Sequence, residues 1–116
     1  MVYTNENREV ESERIAMLKI TSVFNVQIRL TSERWSHIVE EHSELAGIRE
    51  EVLETISNPE CVFQGNFEEF LAVREFKPGK YLVAVYREAR YDGFIITAFL
   101  TKRISYLNNR KKIWPK

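Results

Sequence analysis

The chain has 116 residues, 44% hydrophobic and 29% charged, with one cysteine and 17 basic against 17 acidic side chains. This supports one globular domain with one core, without an internal disulfide, and its longest apolar runs (YLVAVY, FIITAFL) are too short to span a bilayer. No basic-then-apolar leader is legible at the N-terminus, so a reducing cytoplasmic setting without membrane contact is expected.

Charge is unevenly spread: residues 1–79 hold 8 Lys/Arg against 15 Asp/Glu, and residues 80–116 hold 9 against 2. An acidic N-terminal half and a basic C-terminal half could join two copies in a homodimer, and the basic end could instead track a phosphate backbone.

In chain order, residues 1–23 read as an acidic extension, with EVESERIAMLKI carrying partial helical periodicity through Val10, Ile15 and Leu18. FNVQIRL (24–30) alternates strictly, with Phe24, Val26, Ile28 and Leu30 on one side, as a half-buried strand does. Thr31 or Ser32 then caps a helix through RWSHIVEEHSEL, with Glu33 suited to its first turn. After Gly47 a second helix, IREEVLETI, runs to the Asn58-Pro59 break. Four strands follow at hairpin spacing: CVFQG, where Cys61 reads as buried rather than reactive, then EEFLAVREF, KYLVAVYRE and FIITAFLTKR. Residues 104–116 form a basic tail that either tracks phosphate, folds back on the acidic helices or is solvated. The expected architecture is α+β, in the order β-α-α-β-β-β-β. Two helices pack on one face of a mostly antiparallel sheet of four to five strands.

Period two divides the strands. Leu71, Val73, Leu82, Ala84, Tyr86, Phe94, Ile96, Ala98 and Leu100 form an apolar set expected to face the helices. The opposite set includes Arg74, Tyr81, Arg87, Thr97, Phe99, Thr101 and Arg103. It mixes aromatics, hydroxyls and guanidinium groups, as an open binding face would.

The only two histidines, His37 and His42, fall in the first helix. At about 100° per residue, His42 shares a stripe with Trp35, Ile38, Val39 and Leu45, whereas His37 lies among Glu33, Glu40, Glu41 and Glu44. The i, i+5 spacing does not suit joint metal ligation and HExxH is absent. With no Gly-rich phosphate loop, CxxC or serine elbow, neither metal nor cofactor is expected.

The spacing W-x-H-I-x-x-x-H, then acidic-Leu, a helix, an N-P break and a late I-x-T-A-aromatic-x-T strand falls on Trp35, His37, Ile38, His42, Glu44, Leu45, Asn58, Pro59, Ile95, Thr97, Ala98, Phe99 and Thr101. Over residues 24–103 this resembles the phage-associated branch of the Barnase/EndoU/colicin/RelE-like nuclease superfamily. The resemblance implies a RelE/barnase-like domain over 24–103 and metal-independent endoribonuclease activity of a toxin-like kind, with an antitoxin or immunity protein as partner. It implies His37 or His42 as acid/base, with Arg74 or Arg87 and Thr97 at the scissile phosphate. Tyr81 and Phe99 would stack bases, and Thr101, Lys102 and Arg103 would add substrate contacts. Here Glu41 and Ser43 flank His42, where an arginine or proline is common in lookalikes, which makes the motif more acidic. A non-catalytic RNA- or protein-binding module on the same fold is the alternative. A geometric condition follows: the histidines and Thr97 can meet only if the first helix lies across a sheet edge or the sheet curls strongly.

Overall fold

The computed structural model describes residues 17–90 and 92–116. Strand β1 (Met17–Thr21) pairs antiparallel with β2 (Gln27–Thr31). The turn between them is closed by the Ser22 N–H on the Val26 carbonyl at 2.8 Å, with Asn25 in the left-handed region at φ 65°. Residues 17–21, expected at the end of a helix, are therefore a strand, and Leu18 and Ile20 alternate with exposed neighbours. The rest of that expected helix lies outside the described residues. The strand expected over 24–30 begins only at Gln27, because Phe24, Asn25 and Val26 form the turn.

Helix α1 (Ser32–Glu41) starts directly from β2, with the Thr31 hydroxyl accepting from the Arg34 N–H at 3.0 Å. A 3₁₀ turn (Ser43–Leu45) and Gly47, at φ 85°, lead to α2 (Arg49–Ser57). Strands β3 (Cys61–Gln64), β4 (Phe70–Lys77), β5 (Lys80–Glu88) and β6 (Gly93–Thr101) form the meander. A second 3₁₀ segment (Ile104–Asn109) then leads to β7 (Lys112–Trp114). The sheet runs β1-β2-β6-β5-β4-β3-β7. It is thus a seven-stranded mixed sheet, larger than the four to five strands expected and not purely antiparallel: β2 pairs parallel with β6. No helix among the described residues is long and apolar enough to cross a membrane.

Two one-residue register shifts, one between β4 and β5 and one between β5 and β6, set the faces of the meander. The turn pairs Lys77 with Lys80, but Phe76 is skipped, so Glu75 meets Tyr81 and Arg74 meets Leu82. On β6 Ile96 is skipped between Thr97↔Val85 and Ile95↔Tyr86. Each bulge flips everything beyond it to the other face. Ala72, Leu82, Ala84, Tyr86, Ile95 and Ala98 consequently form the core under α1 and α2, with Ile28, Leu30, Ile38, Val52 and Ile56. Leu71, Val73 and Ile96, expected on that side, lie on the other, and Phe94 is exposed. Arg74, expected on the open face, lies on the helix side.

The second face is not an open binding surface. Phe63, Leu71, Val73, Val83 and Val85 are buried there with Leu107 of the C-terminal 3₁₀ segment, and Tyr81, Phe99 and Ile104 pack against them. The basic tail does not hang free: Leu107 is fully buried, β7 extends the sheet on β3, and Ile113 and Trp114 pack against the core that holds Val52 and Ile56 of α2. Burying that leucine contributes roughly 1.5–3 kcal/mol, enough to anchor a short segment.

Candidate active site

The parallel contact of β2 with β6 is brief, with only Ile28↔Gly93 and Arg29↔Phe94 in register. Gly93 is required there, since a Cβ would lie 2.5 Å from Ile28 Cδ1 and 2.6 Å from the Arg87 carbonyl oxygen. Past Phe94, β2 gives way to α1, which contacts both β2 and β6. The helix thus packs beside β6 where β2 ends, within the sheet rather than across its outer edge.

A cleft of about 310 Å³ opens at this seam, lined by Arg34, His37, Ile38, Glu41 and His42 with Ile96 and Thr97 of β6. Arg34, His37, Ile38 and Glu41 recur at helical spacing along one side of α1. His42 joins them because it is no longer helical. It is the C-cap of α1, at φ −131° and ψ 73°, with its N–H on the Ile38 carbonyl at 2.7 Å. The wheel separates the two imidazoles by running the helix on through Leu45, past its end at Glu41.

The His37 ring is exposed, with Nε2 4.0 Å from Glu33 Oε1 and Nδ1 3.8 Å from Glu40 Oε2. His42 is half-buried; its Nδ1 lies 3.7 Å from Glu44 Oε2, and its ring rests on Phe99 with centroids 6.2 Å apart. Among the described residues no side-chain hydrogen bond or ion pair engages the Arg34 guanidinium. The cleft therefore holds two imidazoles able to exchange protons, a hydroxyl, a cation and one opposing carboxylate, Glu41.

The other residues singled out by sequence lie elsewhere. Arg74 Nη2 donates to Glu51 Oε2 at 2.8 Å, tying β4 to α2. Arg87 donates to the Phe67 carbonyl and lines a separate cleft of about 370 Å³ with Gln64, Glu68, Phe70 and Glu88. Tyr81 packs in the second core. The Thr101 hydroxyl accepts from the Arg103 N–H at 3.0 Å, and Lys102 and Arg103 are exposed past the end of β6, outside the cleft. The cation that does line the cleft is Arg34, three residues before His37 on the same helix.

Cys61 is half-buried, and burial pushes its thiol up, with Lys112 opposing and Glu60 adding to the rise. Among the described residues no group of three or more His, Cys, Asp or Glu side chains is arranged to hold a metal ion. In comparisons with known proteins, no family model, curated protein or solved structure matches the chain.

Proposed function

We propose that the chain is a toxin-like endoribonuclease, working through side chains without a metal, as the resemblance of its histidine and threonine motifs to the RelE/barnase-like nucleases implies. The observation that carries the reading is that His37, His42, Thr97 and Arg34 line a single cleft. One imidazole, neutral, takes the proton of a ribose 2′-OH. The freed oxygen attacks the adjacent phosphorus and forms a 2′,3′-cyclic phosphate. The bond to the 5′-oxygen breaks as the second imidazole, protonated, delivers its proton to that oxygen. Arg34 and the Thr97 hydroxyl stabilise the charge on the non-bridging oxygens. His42, backed by Phe99, is the more firmly held imidazole, and His37 the more accessible one.

Incubating the purified protein with total RNA in EDTA tests this. Cleavage to 2′,3′-cyclic ends is expected for wild type. His37→Ala, His42→Ala and Arg34→Gln should each lower the rate by 100-fold or more, on the order of one lost acid–base or electrostatic contribution. RNA binding that survives both histidine substitutions without any wild-type cleavage would support the non-catalytic module instead.

A further inference from the structure

A second, smaller cleft of about 170 Å³ adjoins the first and shares Arg34 with it. Its walls are Met17, Arg29, Thr31, Phe94 and Ile95. Arg29 and Thr31 alternate with Ile28 and Leu30, which face the helical core, so this cleft opens on the side away from α2. Thr97 pairs with Val85 of the second face and opens the same way. The two clefts therefore form successive stations of one groove across the gap where β2 and β6 part.

The chemistry of the second station differs from the first. Phe94 is 40% exposed on a strand, an aromatic ring offered to solvent rather than packed away. Arg29 is its register partner on β2, and Lys19 sits across from Arg29 on β1. Asp92 Oδ2 lies 2.9 Å from Arg29 Nη1, which orients the guanidinium and leaves donors on its other nitrogens. An aromatic ring beside a line of cations (Lys19, Arg29, Arg34) is the arrangement that holds single-stranded nucleic acid by base stacking and phosphate contact.

We propose that this groove is a two-station site for single-stranded RNA, an inference that rests on the ribonuclease reading of the first cleft. Arg34 holds the phosphate at the junction, the neighbouring base stacks on Phe94, and the next phosphate runs toward Arg29 and Lys19. Binding thus follows the β2/β6 seam rather than the middle of the sheet, where Tyr81 packs in the second core.

The test uses a 2′-fluoro hexanucleotide carrying one 2-aminopurine, which can bind but offers no 2′-OH for attack. With the full chain, stacking on Phe94 quenches the 2-aminopurine. Phe94→Leu should abolish the quenching and weaken binding on the order of tenfold, Phe94→Trp should retain both, and Arg29→Gln should weaken binding and lower its salt dependence. Binding and quenching unchanged in Phe94→Leu, or no binding of the probe by wild type, overturns the groove. Cleavage of total RNA, measured separately with the histidine variants, shows whether the ribonuclease reading stands when the groove does not.

Discussion

His42 leans on Phe99, their ring centroids 6.2 Å apart and their planes inclined by 36°. Phe99 in turn packs against the second-face core that holds Leu107. The imidazole at the end of α1 is thereby braced by the same layer that anchors the C-terminal segment.

Phe99→Leu keeps much of the apolar bulk and removes the aromatic partner. Cleavage should fall roughly threefold to tenfold, matching the 0.5–1.5 kcal/mol typical of such a ring pair. The His42 ring-proton shifts should move in the same variant. An unmoved His42 spectrum would show that the brace does not act on the imidazole.

Leu107→Ala empties a fully buried position contributed by a segment outside the meander. Urea unfolding should report a loss of about 2–5 kcal/mol. A loss below half a kilocalorie would mean that the segment does not hold the second face in solution.

Arg74 serves the fold, through Glu51, and not the cleft. A double-mutant cycle of Arg74→Leu and Glu51→Ala should give a coupling of roughly 1 kcal/mol, because the Glu51 carboxylate is 47% exposed and screened. Arg74→Leu should leave the rate of RNA cleavage within twofold of wild type; a loss like that of the histidine variants would return Arg74 to the site.

Glu88 yields a pH signature. Burial raises its carboxyl above the ordinary value of 4.5, against a lowering by the Ser22 hydroxyl, which donates to Oε2 at 2.5 Å. Between 4.5 and the raised native value the folded chain keeps a proton that the unfolded chain has released. The stabilisation is therefore full below 4.5 and lost as pH rises through the native value. Glu88→Gln stays neutral throughout, so its melting temperature should rise relative to wild type as pH climbs toward neutrality. Melting curves that shift in parallel across the whole range would contradict this.

The order of helices and central strands was legible because Ile28 and Leu30 alternate, Thr31 caps, and Asn58-Pro59 stops a helix. The faces were not. Alternation carries no mark of a bulge, so Phe76 and Ile96 misassigned Arg74, Leu71, Val73, Phe94 and Ile95. The outer strands are hard to read for another reason: β1 and β7 are short, at five and three residues, and their alternation is masked by flanking charge. Within the cleft, His37, His42 and Thr97 stand out in the sequence through the motif that resembles the nucleases. Arg34 does not, because an exposed arginine in a first helical turn looks like any solvated charge until β6 is placed beside it.

The brief Ile28↔Gly93 and Arg29↔Phe94 pairing joins segments made far apart in time as the chain is synthesised. The histidine helix is complete by Glu41, but its facing wall, Ile96 and Thr97, comes after the whole β3–β5 meander. A nascent chain can form the hairpin and α1 early, yet it owns only half a cleft until β6 docks. A truncated translation product ending before β6 would lack Ile96 and Thr97, the facing wall of the cleft.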